Sequence, residues 1–415
     1  MDLGNQVYRL PTLAAVATLL GVCAAVARAQ CLYDATPIQG PIDPVLGAPV
    51  TIGMGLNADG HVVGYYYYLG PESSEAFWWA PESGLTTLPR PPGVITSRAI
   101  DISSSGVVVG TYTVSSGIRG YVYNQGEFTE LMPLPGGAWS SASAISNNGV
   151  VVGSRSIAEG VNPMNAFTWS SDGGFIDLGL MDSPETAGAD ISELGHVVGR
   201  RGLPASNEEV FLWDGSAIAL LGPVPGGVSS TAGGINNADE ICGAGLIEPY
   251  PGVSTWRSFI WHQGSFEMLG TLPEYDGNTA RGINDFSQVV GNLIATGDPT
   301  DNHAFLWQLG EIYDLNDLLA PNGTKTLWRA HAINNRGQII ANGIDGAGAV
   351  VAFCLTPIGW THGDLDLDCR VGIVDFLQLL GSWGPCDPEL PCPADLNDSG
   401  NVDGGDLLVL LLHWS

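Results

Sequence analysis

A nine-residue pattern recurs seven times in this 415-residue chain, which constrains the fold more than any other feature. The pattern reads Ile-Asn-x-x-Gly-x-Val-Val-Gly, and successive copies are 43 to 50 residues apart. Self-similarity at such a period is typical of solenoids and propellers. The copies begin at Leu56, Ile102, Ile145, Ile191, Ile235, Ile283 and Ile333.

A second pattern, Ala-Phe-x-Trp, follows most copies, and a third element ending in Asp-Leu follows that. Each repeat then holds about four short strands separated by Gly- and Pro-rich turns, which is the size of one propeller blade. A β-solenoid is the alternative, but its coils are usually shorter. We therefore predict an all-β, seven-bladed β-propeller over residues 30–357. We expect the repeated Phe and Trp to fill the core between blades, and the Asn-x-x-Gly segments to form hairpin turns.

One copy of the second pattern, His303-Ala304-Phe305-Leu306-Trp307, resembles the HAF-repeat family of extracellular proteins. Together with the first pattern, the resemblance covers about residues 50–356. The family implies no particular reaction. The seven histidines have no metal-ligand spacing, and no nucleophile elbow or phosphate-binding loop is found.

The ends of the repeat region predict how the ring closes. The seventh copy ends at Pro357 without a fourth strand, whereas residues 32–35 resemble the fourth-strand residues 312–315 of the sixth copy. We expect the N-terminal segment to supply the missing strand, with residues 31–39 beside residues 349–356. This closure would remove an exposed sheet edge.

Charge and the N-terminus bear on the compartment. The chain has 14 basic and 43 acidic residues and a net charge of −29, so its surface repels nucleic acid. An apolar run over residues 10–26 precedes Ala27-Arg28-Ala29, which is typical of a signal peptide. We predict a signal peptide over residues 1–29, cleavage before Gln30, secretion, and no membrane span in the mature chain.

After a linker at residues 358–362, the composition changes to Asp, Leu and Gly, and residues 363–415 form an internal duplication. Each half has oxygen-bearing residues at loop positions 1, 3, 5 and 12 and a carbonyl at position 7, followed by a Leu-rich helix; this is the spacing of a calcium loop. The predicted ligands are Asp364, Asp366, Asp368, Arg370 and Asp375 in loop one, and Asp395, Asn397, Ser399, Asn401 and Asp406 in loop two.

Two calcium loops, each with one exiting helix, resemble a type I dockerin. The resemblance implies two Ca²⁺ ions and a docking partner of the cohesin type. Cys369 departs from the family because it stands where loop one should have Gly, a position that often requires positive φ.

Six cysteines remain after removal of the signal peptide, and an exported protein permits disulfides among them. From the expected strand closure we predict a bond between Cys31 and Cys354, and we favour Cys386 with Cys392. Cys369 would then stay unpaired, and Cys242 would be a buried free thiol in place of a core Val.

Several functions are compatible with this organisation. The first is a non-catalytic propeller for binding or display, tethered through the dockerin-like module to a cohesin, a cell-surface scaffold or a polysaccharide-degrading assembly, with a glycan as ligand. The second is a polysaccharide-active enzyme, either a glycoside hydrolase or a lyase; the third is a structural envelope protein. No catalytic residue is assigned, because sequence does not place any two carboxylates near one sugar. Candidates for such a pair are Glu185, Asp190, Glu274, Asp276 and Asp285.

Overall fold

The computed structural model describes residues 31–68, 73–157, 164–179, 183, 185–202, 207–250, 252–295, 297, 301–321, 325–359, 361–386, 392–397 and 399–414. These residues form seven four-stranded antiparallel sheets around a central channel, followed by two short helices. The predicted seven-bladed β-propeller is therefore confirmed. The predicted signal peptide, residues 1–29, lies outside the described residues.

The first strand, β1 (Tyr33–Ile38), belongs to the last blade. The next twelve strands form the first three blades, each running from the channel outwards. They are β2 (Thr51–Leu56), β3 (Val62–Tyr67), β4 (Ser74–Ala80) and β5 (Gly84–Thr87); β6 (Thr96–Ile102), β7 (Val108–Val114), β8 (Gly117–Asn124) and β9 (Glu127–Leu131); and β10 (Ser140–Ile145), β11 (Val151–Ser156), β12 (Met164–Ser170) and β13 (Gly174–Gly179).

The remaining blades follow in the same order. Their strands are β14 (Thr186–Ile191), β15 (Val197–Gly202), β16 (Glu208–Trp213) and β17 (Ile218–Leu220); β18 (Gly227–Ile235), β19 (Ile241–Tyr250), β20 (Val253–His262) and β21 (Ser265–Met268); β22 (Tyr275–Ile283), β23 (Val289–Ala295), β24 (Ala304–Gln308) and β25 (Glu311–Asp314); and β26 (Thr326–Ile333), β27 (Ile339–Ile344) and β28 (Val350–Pro357).

The repeated Phe forms the core between blades, as expected. Phe211, for example, has no exposed surface and packs with Val152 and Ala166 of the preceding blade. The repeated Trp is less uniform: Trp79 and Trp307 are buried, but Trp213 only borders its core cluster. The hydrophobic layers therefore lie between neighbouring sheets, which ties each blade to the next.

The last position of the Val-Val-Gly pattern is Gly for a steric reason. The innermost strand of each blade bulges opposite this position, as between Gly188 and Asp190. A Cβ atom on Gly199 would lie 2.2 Å from the carbonyl oxygen of Ala187 and 2.5 Å from the Phe211 ring. The Gly thus lets the second strand approach the bulged strand and makes room for the core Phe.

The ring closes through the N-terminal strand, as predicted. β1 pairs antiparallel with β28 and completes the seventh sheet as its outermost strand. Tyr33 is buried there, and its backbone also bonds with Leu318 and Ala320 of the sixth repeat. The first and last parts of the described chain therefore share one blade.

The predicted register of this strand was wrong by three residues. By analogy with the sixth blade, Asp34 would face Phe353, but Pro37 does so, and Thr36 faces Cys354. Cys31 therefore lies beyond the strand end and away from Cys354. The predicted Cys31–Cys354 bond is wrong, and so is the prediction that Cys369 stays unpaired. Cys31 is bonded to Cys369, with Cα atoms 5.4 Å apart, and Cys354 is a buried free thiol.

The other cysteines agree with expectation. Cys386 is bonded to Cys392, and Cys242 is a fully buried free thiol whose pKa is raised by burial. The C-terminal segment has two nine-residue helices, α1 (Ile373–Gly381) and α2 (Gly404–Leu412), and a small bridge between β29 (Gly384–Pro385) and β30 (Asn401–Val402). Its core is a cluster of six buried residues, Val371, Leu379, Ala394, Leu396, Val402 and Leu410.

The inter-blade core predicts a large cost for truncating one repeated Phe. Phe211→Ala should lower the free energy of unfolding by about 3–5 kcal/mol, because it leaves a cavity between two close-packed sheets. Chemical denaturation followed by tryptophan fluorescence measures this loss. The matched control is Val228→Ala, because Val228 is 61% exposed and its truncation should change the value by less than about 0.5 kcal/mol. Equal effects at both positions would contradict the assigned core.

Candidate functional sites: the channel and the C-terminal loops

The Asn-x-x-Gly turns form one end of the channel, which we call the turn mouth. Each turn is stabilised as expected: the Asn57 Oδ1 accepts hydrogen bonds from the backbone N–H groups of Asp59 and His61, and Gly60 has φ of 83°. The Asn57 side-chain amide also donates to the Ser103 carbonyl of the next blade at 3.1 Å. This second bond, which sequence reasoning missed, joins neighbouring blades.

Such a bond crosses every junction of the ring. Where the repeat keeps its Asn, the side-chain amide donates a hydrogen bond to a backbone carbonyl of the next turn. Where Ser replaces the Asn, a nearby carboxylate or a neighbouring Asn forms the bond between blades instead. In blade order the pairs are Asn57–Ser103, Asp101–Ile145, Asn147–Glu193, Asp190–Ile235, Asn236–Asn284, Asn284–Asn334 and Asn334–Asn57. The turn mouth is therefore a closed circuit of hydrogen bonds.

Two of these residues, Asp101 and Asp190, lie inside the channel. Burial raises the pKa of Asp101 to about 7 and that of Asp190 to about 6, although both carboxylates accept backbone N–H groups. The negative charge of nearby acidic groups raises both pKa values further. The middle of the channel is thus a place where carboxyl groups hold protons close to neutral pH.

Basic side chains share this part of the channel with the two carboxyl groups. A cavity of about 250 Å³ is lined by Arg281 of β22 and His331 of β26 as well as by Asp101 and Asp190, and Arg329 is two residues before His331 on β26. Burial, and then the mutual repulsion with Arg329, lowers the pKa of Arg281 to about 10. Burial and both arginines lower the pKa of His331 to about 3, so this imidazole is neutral at pH 7. We call this part of the channel the arginine chamber.

The carboxylates named as a candidate catalytic pair do not form one site. Asp190 and Asp285 both line the turn mouth, where they bond to the backbone N–H groups of Ile235 and Asn237. The other three lie apart from them: Glu185 faces Arg200 at 3.8 Å, Glu274 is exposed, and the Asp276 carbonyl accepts a bond from Thr255. The geometry therefore assigns no acid–base pair.

The two C-terminal loops have matching hydrogen bonds. In loop one the carboxylate of Asp364 accepts the N–H groups of Asp368 and Cys369; in loop two that of Asp395 accepts those of Ser399 and Gly400. The turn residues Cys369 and Gly400 both have positive φ, 65° and 81°. The Cys at this position therefore adopts the left-handed backbone conformation that favours Gly.

Position 12 also matches in the two loops. The buried carboxylates of Asp375 and Asp406 accept N–H groups at the starts of α1 and α2 and also N–H groups at loop positions 2 or 3. They thereby fold each loop back onto its helix. Of the other predicted ligands, Ser399 bonds to the Asn401 carbonyl, the Arg370 N–H to Asp368, and Asn397 is exposed.

The first loop concentrates negative charge. One carboxylate oxygen each from Asp364, Asp366 and Asp368 lie within 4.8 Å of one another. Burial, and then the neighbouring carboxylates, raise the pKa of Asp364 to about 7, even though the N–H of Cys369 bonds to it. This crowding suits a cation with hard oxygen ligands.

Comparison with known proteins adds the following. No family model and no curated protein matches the sequence. The β-propeller domain of the Trilobed protease from Pyrococcus furiosus, described by an open velcro topology, aligns with 10% identity and a TM-score of 0.50, covering 74% of this chain and 94% of that one. A prolyl endopeptidase, one of two described together, aligns with 11% identity and a TM-score of 0.50, covering 83% of this chain and 51% of that one. Pyrococcus horikoshii acylaminoacyl peptidase gives 10% identity and 0.49, covering 74% and 51%.

At this identity the likeness shows the propeller fold alone, and the chain spans about half the length of the peptidases. Our prediction of a non-catalytic binding or display propeller with a dockerin tether was wrong. The two solved structures that align with a TM-score of 0.50 are named as the propeller of a protease and as a prolyl endopeptidase, and neither is named as a tethered binding protein or a polysaccharide-active enzyme. No helix in the described parts of the chain is long and apolar enough to cross a membrane. Secretion stays a prediction.

The half-buried Asp101 predicts an unusual pH dependence. Its folded-state pKa of about 7 exceeds the unfolded value of 3.8, so the folded protein holds this proton more tightly. Its contribution to the free energy of unfolding should therefore fall as pH rises from about 4 to about 7, by at most about 4 kcal/mol. Asp101→Asn keeps an acceptor for Ile145 and should remove this slope. Denaturation of both proteins at pH 4.5 and 7.5 measures it.

The expected result is a variant that gains stability relative to wild type as the pH rises. Asp172→Asn, at an exposed turn, is the control and should follow the wild-type profile. Parallel pH profiles for Asp101→Asn and wild type would show that Asp101 titrates normally.

Proposed function

We propose that this protein is a calcium-stabilised propeller in which residues 363–415 bind two Ca²⁺ ions and thereby hold the seventh blade closed. The observation that carries the proposal is the duplicate loop. Two segments 31 residues apart have the same ligand spacing. In both, the carboxylate at position 1 accepts hydrogen bonds from the N–H groups of positions 5 and 6, and position 12 is a buried Asp.

The residues present fit calcium. Carboxylates, an amide, a hydroxyl and backbone carbonyls are the hard oxygen ligands that Ca²⁺ takes, and positive φ at position 6 gives the loop its sharp turn. In loop one the ion would be held by Asp364, Asp366, Asp368, the Arg370 carbonyl and Asp375. In loop two it would be held by Asp395, Asn397, Ser399, the Asn401 carbonyl and Asp406. The ion would supply charge neutralisation for groups that otherwise repel one another.

The size of the segment supports a structural role for the ions. About 53 residues with two short helices and six core side chains bury too little apolar surface to be robust without help. Metal binding in such a domain contributes directly to its folding free energy.

A covalent bond connects this folding to the ring. Cys369 at position 6 of loop one is bonded to Cys31, which lies two residues before the start of the closing strand β1. The N–H of Ile358, just after β28, also bonds to the Leu32 carbonyl at 2.7 Å. Ordering loop one with calcium therefore restrains the end of β1 where the propeller ring is joined.

Calcium titration of the full chain tests the proposal. Isothermal calorimetry should give two ions per chain for wild type and one each for Asp366→Asn in loop one and Asp406→Asn in loop two. Asn keeps the shape and one acceptor oxygen but removes the charge that the ion requires. Asp172→Asn should still bind two ions. No heat up to 5 mM calcium, together with an unchanged melting temperature, would refute calcium binding.

The covalent link predicts a second outcome. Cys31→Ser should lower the free energy of unfolding of the calcium-loaded chain by about 2–5 kcal/mol, because Cys31 and Cys369 are separated by 338 residues and their bond restrains a long loop. Cys392→Ser is the control, since its bond spans a separation of only 6 residues and should contribute less. Non-reducing peptide mapping should recover Cys31 with Cys369. A larger loss for Cys392→Ser would contradict the proposed link.

A further inference from the structure

Three basic side chains of this strongly acidic chain lie on the innermost strands of the second, sixth and seventh blades. Arg98 is on β6, Arg281 on β22 and Arg329 on β26, while the whole chain has only 14 basic residues against 43 acidic ones. None of them belongs to the repeated motifs. Placing three positive charges in one part of the channel is therefore a local feature and does not follow from the repeat.

These arginines differ from the others in their partners. Six other arginines of the described chain pair with carboxylates, as in Arg155 with Asp177 at 2.9 Å and Arg201 with Glu209 at 2.6 Å. Among the described residues no carboxylate oxygen comes within 4.0 Å of Arg281 or Arg329. The Arg329 Nε is buried without a hydrogen-bond partner.

The neighbours of the arginines are neutral and already oriented. The Arg281 Nε contacts the Asn292 Oδ1 at 3.4 Å, and that oxygen also accepts the Thr279 hydroxyl at 2.8 Å. Arg98 lies over the Tyr65 ring, with its guanidinium carbon 4.7 Å from the ring centre. These contacts position the guanidinium groups without an ion pair. The carboxyl groups of Asp101 and Asp190 line the same chamber, but neither lies within 4.0 Å of Arg281 or Arg329.

The space beside them is large enough for a small molecule. The arginine chamber, about 250 Å³, adjoins a second cavity of about 260 Å³, and Arg281 lines both. The second cavity is also lined by the hydroxyl groups of Thr231 and Thr279 and by the indole of Trp256. Half-buried cations, neutral donors and an aromatic surface around one space are typical of a ligand site.

We propose that the arginine chamber binds a small organic carboxylate, with Arg281 and Arg329 as its charge partners. Guanidinium groups match the planar carboxylate with paired hydrogen bonds. The neutral imidazole of His331 and the threonine hydroxyls supply further polar contacts, and Trp256 covers the apolar part of the ligand. The same chemistry is found in a free organic acid and in an acidic sugar. The site is separate from the calcium loops.

Titration of the calcium-loaded full chain with succinate tests this proposal. In a buffer without carboxylates, succinate should bind with an affinity that falls on addition of salt, and its neutral diamide, succinamide, should bind at least tenfold more weakly. Arg281→Gln and Arg329→Gln should each weaken succinate binding at least tenfold. A uronic acid disaccharide forms the second arm: tighter binding than succinate assigns the acidic sugar, and weaker binding assigns the free acid.

Arg336→Gln is the matched control, because Arg336 is exposed at the turn mouth and pairs with Asp59 at 3.6 Å. It should bind succinate like wild type. The unliganded Arg281→Gln and Arg329→Gln proteins should melt at or above the wild-type temperature, since each loses a half-buried charge that has no ion-pair partner. Equal binding of succinate and succinamide, or unchanged affinity in both chamber variants, would overturn the proposal.

Discussion

The structure depends on joining each blade to the next around a closed ring. A single four-stranded sheet of this size leaves both faces apolar, and only its neighbours cover them. The Phe of each repeat, or Tyr121 in the second, fills that interface, and at least one hydrogen bond per junction at the turn mouth joins neighbouring blades. Because the ring has no free end, loss of the contacts at one junction destabilises the whole ring.

The two parts of each blade contribute differently. The repeated residues Phe, Gly and Asn face the neighbouring sheet, the bulged strand or the adjacent turn, and their work is structural. The positions facing the channel change from blade to blade. Met54, Ser143 and Ala189 line it on some blades, whereas Arg281 and His331 line it on others. The variation among blades is therefore where this fold has room for specific chemistry.

Much of the fold was predictable from sequence because seven imperfect copies average out their differences. Blade number, strand order and the closing strand all follow from the repeat. The register of β1 did not, because four similar residues around Tyr33 are too short a pattern to exclude a three-residue shift. The Cys31–Cys369 bond was missed because it joins two units whose relative placement no local pattern encodes.

The sites were predictable to different degrees. The calcium loops are local, since all ligands of each loop lie within twelve consecutive residues, so spacing alone identifies candidates such as Asp364 and Asp375. The arginine chamber is assembled from residues of several blades. Arg281 and Arg329 are 48 positions apart and carry no motif, so only the folded ring brings them together. Asp101 forms the hydrogen bond between blades at a junction where the repeat lacks its Asn, and this role could not be predicted for the same reason.

The bond between Cys31 and Cys369 also changes how the molecule carries load. Tension applied between the two ends of the described chain passes from the C-terminal segment through one covalent bridge to residue 31. The seven blades lie entirely within the loop that this disulfide closes. The force therefore passes through the disulfide and bypasses the blades. A propeller pulled from both ends would therefore keep its fold until the disulfide is reduced.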